Sequence, residues 1–181
     1  MADRGRDVAV RVATVDDAEA ITRVHVGTWQ VAYRGQLPDG YLDGLTAEIP
    51  RRTEWRRAVL AHPRDPAQRT FVATRGGQLV GFASCGPHEA DPSRGELYAI
   101  YVEPAAWSSG TGRSLMDRAV AELVALGFSD AVLWVLESNA RARRFYERAG
   151  WAVDGATKVE TRGEVVLNEV RYARSLIEPR T

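Results

Sequence analysis

A glycine-bearing loop is the feature of this chain most plainly shaped for chemistry. The run Glu96-Leu97-Tyr98-Ala99-Ile100-Tyr101-Val102 is rich in β-formers and stops at Glu103-Pro104. Trp107-Ser108-Ser109-Gly110-Thr111-Gly112-Arg113-Ser114 follows, and then Leu115, Ala119, Leu123 and Leu126 recur at helical spacing. A strand, a glycine loop and a helix opening near Gly110 are therefore predicted in that order. Glycines let the backbone turn tightly and approach a ligand, and the first amides of a helix have no partner within it. With the positive end of the helix dipole behind them, such amides suit a phosphate. A dinucleotide fingerprint would need a third glycine where Leu115 stands and an acid ending the next strand, whereas Asp130 precedes that strand. A nucleoside-triphosphate loop would need lysine where Arg113 stands. An ordinary strand-to-helix turn remains open on these residues alone. Among other reactive types, Cys85 is the single cysteine, with no disulfide mate and no His/Asn partner pattern, and reads as a small buried residue.

Several elements must position that loop. Residues 8–13 read as a first strand, and Thr14 with Asp17 forms a capping-box-like start to a helix whose apolar face carries Ala18, Ile21, Val24 and Trp29. Residues 35–42 read as a break before a second helix that begins at Thr46 or Glu48 and reaches Leu60. Residues 70–75, Gly76-Gly77 and residues 78–84 give a hairpin signal, and residues 85–94, with Gly86, Pro87 and Pro92, read as a loop holding His88. The continuous apolar run 131–136 fits a strand covered on both faces. Asn139 opens a helix bearing Ala142, Phe145, Tyr146 and Ala149, which Gly150 ends. Residues 151–154, a turn near Gly155 and residues 165–173 close the chain as strands. The central strand, its helix and the next strand make a βαβ unit, so those two strands run parallel, while the hairpins make the sheet mixed.

Length and composition narrow the function. At 181 residues and 45% hydrophobic, the chain suits one well-filled domain over residues 1–181. Acidic and basic residues number 24 each, so no overall field draws nucleic acid or an acidic membrane. Lys158 is the sole lysine. The charged N-terminus has no apolar core of signal-peptide length and no run approaches a membrane span, so a cytoplasmic protein without metal is the expectation.

Asn139-Ala140-Arg141-Ala142-Arg143-Arg144-Phe145-Tyr146-Glu147-Arg148-Ala149-Gly150-Trp151, at its distance from Trp107-Ser108-Ser109-Gly110-Thr111-Gly112, resembles the paired motifs of the GNAT acetyltransferase superfamily. The Leu-Tyr-Ala-Ile-Tyr-Val strand and the Trp29/Tyr33 segment extend the likeness over most of the chain. Trp107 departs from it, because the family usually has Gln or Arg there. The resemblance implies an α+β (α/β) fold: a mostly antiparallel mixed sheet of about six to seven strands and about four helices, with a splayed parallel pair forming an acetyl-CoA cleft.

The resemblance also implies roles. Ile100, Tyr101 and Val102 would pair with pantetheine, and the amides from Ser108 through Ser109, Gly110, Thr111, Gly112 and Arg113 to Ser114 would hold the pyrophosphate. Asn139 would bond the cofactor, and Tyr146 would point at its sulfur and protonate the departing thiolate. Glu96, heading the central strand, would take a proton from the amine through water, with His88 as a substitute. Trp29 and Tyr33, with Tyr41, would line the acceptor pocket, and one of Arg141, Arg143 and Arg144 would meet the 3′-phosphate. The implied reaction is direct acetyl transfer from acetyl-CoA to a primary amine of a small molecule or protein, in a form open to homodimerisation. An acyl-CoA-binding sensor without turnover is the alternative that Trp107 favours.

Overall fold

The computed structural model describes residues 8–177. Seven strands form one sheet in the order β1-β2-β3-β4-β5-β7-β6. β1 (Val8–Val12), β2 (Arg69–Arg75), β3 (Gln78–His88) and β4 (Asp91–Val102) are successive antiparallel neighbours. β5 (Asp130–Leu136) lies parallel to β4, and β7 (Val165–Ser175) pairs antiparallel with both β5 and β6 (Ala152–Arg162). The helices are α1 (Ala18–Ala32), α2 (Asp39–Gly44), α3 (Ile49–Ala61), α4 (Thr111–Ala125) and α5 (Ala140–Arg148).

Each face of the sheet is covered for a reason visible in the side chains. Leu115, Met116, Ala119 and Leu123 of α4 and Tyr146 of α5 pack on Phe71, Ala83, Leu133 and Val135. On the other face Ile21 and Val24 of α1 meet Val72 and Phe82, and Trp29 and Tyr33 meet Leu136 and Leu167. Leu115 and Leu123 are fully buried, a contribution of about 1.5–3 kcal/mol each. The apolar run of β5 alternates between these two cores, as expected for a strand covered on both faces.

The structure bears out the mixed sheet, the parallel β4–β5 pair, the capping box at Thr14 and Asp17, and the tight turn at Gly76 and Gly77, both at positive φ. It corrects three readings. Residues 85–94 are not a loop: β3 continues to His88 and β4 begins at Asp91, because irregular register between Pro87 and His88 lets a proline-bearing hairpin stay paired. Gly155 is not a turn between strands but lies inside β6, where the register shift between Val153 and Thr157 forms a bulge that its φ of 89° accommodates. The break at residues 35–42 also holds the start of α2, whose Leu42 is fully buried.

Candidate active site

The opening of the sheet begins with one extra residue. Ser84 pairs with Ala99 and Cys85 with Leu97, so Tyr98 is a bulge in β4, and a bulge bends its strand. β4 and β5 share only two rungs, Gly95–Ala131 and Glu96–Val132. Beyond them, residues 97–102 have a strand neighbour only in β3 and residues 133–136 only in β7, so two facing backbone edges diverge. A cavity of about 870 Å³ runs through this fork. Its walls include Glu96, residues 97–102, Trp107, Gly110, Gly112, Asn139 and Tyr146, together with Trp29 and Tyr33 from α1.

At one end of the cavity stands the N-terminus of α4. Gly110 caps it at φ 87°, a left-handed conformation glycine takes without strain, and no side chain caps the helix. The Ser114 amide is the first to bond back, to the Gly110 carbonyl, which leaves the amides of Thr111, Gly112 and Arg113 without helical partners. Gly112 packs beside Phe145, where a Cβ would lie 3.4 Å from the ring, an ordinary van der Waals contact. Ser108, Gly110, Gly112 and Arg113 reach the cavity, whereas the hydroxyls of Ser109 and Thr111 turn inward, bonded to each other at 2.9 Å, with Ser109 also donating to the Ala106 carbonyl. The Ser114 hydroxyl bonds the Gly110 carbonyl. These side chains shape the loop; its backbone faces the cavity.

Trp107 has a defined place. Its Nε1 donates to the Val102 carbonyl at 2.6 Å, and the Arg141 guanidinium lies 3.3 Å from its ring centre. The indole therefore ties the loop to the end of β4 and carries a cation beside the α4 terminus. Arg143, by contrast, bonds the Tyr172 hydroxyl and the Glu137 carbonyl, away from this rim.

The titratable groups meet at the fork. Tyr146 is 7% exposed, and its hydroxyl makes no hydrogen bond among the described residues. Burial, with Tyr101 next, pushes its phenol above the ordinary range, so it stays protonated at neutral pH. Glu96, on the last shared rung, accepts a 2.7 Å bond from His88 Nδ1, and both side chains are nearly buried at 14% and 10% exposure. His88 is thus the partner of Glu96 and not a loop bystander. Asn139 accepts from the Ala142 amide at 3.0 Å, capping α5, and donates to the Tyr33 hydroxyl at 3.2 Å, a link between the two sheet faces.

On the α1 side Trp29 Nε1 donates to the Tyr101 hydroxyl at 3.0 Å, and Trp29 and Tyr33 meet edge to face. Tyr33 and Tyr101 are both pushed up by burial. His25, stacked 4.5 Å from Tyr101, is driven down to about 3 by burial first and then by Arg56, Arg52 and Arg162. Lys158, Glu160, Arg162 and Glu169 complete this wall. The sequence reading missed them all. Their alternation along β6 and β7 was available as a signal, but it is polar and does not reveal which face turns toward the fork. Cys85 is fully buried, with its thiol pushed up to about 12 by burial, a packing residue and not a nucleophile.

Comparison with known proteins agrees with this geometry. Residues 29–151 match the model of the acetyltransferase (GNAT) family. The chain is 35% identical over 135 residues to the uncharacterized N-acetyltransferase YuaI of Bacillus subtilis, covering 73% of each chain. Its fold is similar to that of the PaiA N-acetyltransferase of Thermoplasma acidophilum, solved in complex with coenzyme A, at TM-score 0.74 and 17% identity over 93% of this chain and 99% of the other. It is also similar to yncA of Salmonella typhimurium, solved with acetyl-CoA, at TM-score 0.69 and 21% identity over 97% of both. With two thirds of its length matching the family model, the forked sheet and its glycine-capped helix are those of a known lineage: the chain belongs to the acetyltransferase (GNAT) family.

Proposed function

We propose that this chain moves an acetyl group from acetyl-CoA to a primary amine, of a small molecule or a protein, by direct transfer with both substrates bound. The observation that carries the reading is the fork itself. One cavity joins free helix amides, two unpaired strand edges, a protonated buried phenol and a carboxylate. Acetyl-CoA fits these features by chemistry. The diphosphate suits the amides from Ser108 to Arg113, with Arg141 beside them, and the amide-bearing pantetheine arm suits the open edge of β4 at Ile100, Tyr101 and Val102. When bound, it supplies an activated thioester.

The chain's own residues do the rest. Tyr146 holds a proton for the departing thiolate at the point where the phenol costs least to keep neutral. Glu96, held in place by His88, takes a proton from the incoming ammonium, since only the free amine is a nucleophile. Backbone amides on the open edge near Tyr101 and Val102 are donors for the charge that develops on the acyl oxygen. Trp29 and Tyr33 form the wall on the acceptor side. The test is thiol release from acetyl-CoA with a panel of amines. Release that depends on the amine supports the reading; coenzyme A binding with no amine-dependent release would favour the sensor, for which Trp107 in the loop is the supporting feature.

A further inference from the structure

Lys158 is the sole lysine of the chain, the rest of its 24 lysines and arginines being arginine. It stands on β6 opposite Glu169. Its Nζ lies 3.1 Å from Glu169 Oε2 and 4.6 Å from the ring centre of Trp134. The Glu169 oxygen is buried and makes no hydrogen bond among the described residues, so the ammonium is close without being aligned upon it. Trp134 is the second residue beyond the Glu96–Val132 rung at which β4 and β5 part. Side chains alternate along a strand and neighbouring rungs share a face, so Trp134 projects on the same side as Glu96. Lys158, Glu96 and Tyr146 thereby wall one cavity. Arginine in this place would remain a protonated guanidinium, whereas a lysine amine on a flexible four-carbon stem can lose its proton and swing.

We propose that Lys158 is a self-acetylation site, its ε-amine accepting the acetyl group held in the fork when no other acceptor is present. This rests on the acetyl-transfer reading above. The ammonium gives one proton to solvent by way of Glu169. The amine nitrogen then bonds the acetyl carbon, the carbon–sulfur bond breaks, and the thiolate takes a proton from Tyr146, which recovers one from the new amide nitrogen through water. The products are acetyl-lysine, coenzyme A thiol and one proton. The modification removes the cation facing Glu169 and leaves the acceptor wall one charge more negative, an environment that favours cationic acceptors.

The full chain is incubated with acetyl-CoA alone, denatured and digested with a lysine-specific protease. Unmodified protein is cut once, after Lys158. The expected result is progressive protection from the cut, with the intact mass rising by one acetyl group and a rate constant independent of protein concentration. Tyr146→Phe, which removes the proton for the departing thiolate, should slow protection by about tenfold or more. A chain that stays cleavable, while coenzyme A raises its Tm and amines release thiol, overturns the self-acetylation and leaves acetyl transfer standing. Protection of Tyr146→Phe at the parent's rate marks uncatalysed acetylation by the thioester and also overturns it. No rise of Tm with coenzyme A removes both.

Discussion

Replacing Tyr146 by Phe isolates the acid from everything else the residue does. The ring packs between Phe145 and Tyr172, and the substitution keeps that packing. The hydroxyl makes no hydrogen bond among the described residues, so its loss should change stability by no more than about 1 kcal/mol. The free amides at the head of α4 belong to Thr111, Gly112 and Arg113 and are left in place, so coenzyme A affinity should hold within about threefold. Turnover is different. A positioned acid contributes about 10²–10⁴ in rate, or about 3–5 kcal/mol of barrier, and kcat should fall by that amount. The assay is thiol release under saturating acetyl-CoA, beside calorimetric titration with coenzyme A and a thermal melt. Because burial raises the phenol above its ordinary value of 10.0, the parent enzyme should show no alkaline loss from this group below about pH 10. An unchanged kcat would refute the reasoning. So would a loss confined to KM.

Other perturbations separate the remaining parts. Gly110→Ala forces a Cβ into φ 87° and should cost about 1 kcal/mol of stability and weaken coenzyme A binding, read by melting and titration. Asn139→Ala removes the α5 cap and the bond to Tyr33 and should cost about 1 kcal/mol, measured by denaturant unfolding; no loss would show that neither bond contributes. His25 titrates at about 3 when folded and near 6.5 when unfolded. The unfolded chain therefore binds the extra proton first, and stability should fall as pH drops from about 6.5 toward about 3, by at most about 1.4 kcal/mol per unit. His25→Gln should flatten that slope in pH-dependent unfolding. Tyr33, Tyr98, Tyr101 and Tyr146 are all raised, so the unfolded chain ionises its phenols first and stability should also fall above pH 10.

The parts of this fold that were legible in sequence are those whose physics is local. The glycine loop shows itself because a left-handed cap before an apolar helix needs glycine at position 110. The Asn139 helix shows itself through a cap and an apolar face, and β5 through an unbroken apolar run. What escaped depends on contacts far apart in the chain. The bulge at Tyr98, which opens the fork, is a mismatch between β3 and β4 and has no residue signature of its own. His88 looked like a loop residue because Pro87 disguised the end of β3, so its bond to Glu96 across eight positions was invisible. Lys158, Glu160 and Glu169 are polar residues on polar strands, and only the pairing of β6 and β7 beside β5 turns them toward the cavity.

The central claim is that the gap between β4 and β5 admits a pantetheine arm, with its diphosphate at the head of α4 and its sulfur at Tyr146. A crystal structure of the coenzyme A complex tests it most directly. The account predicts the diphosphate on the amides between Ser108 and Arg113, the arm along residues 100–102, and the thiol within hydrogen-bond reach of the Tyr146 hydroxyl. Coenzyme A bound outside the fork, or a Tyr146 hydroxyl turned away from its sulfur, would contradict it.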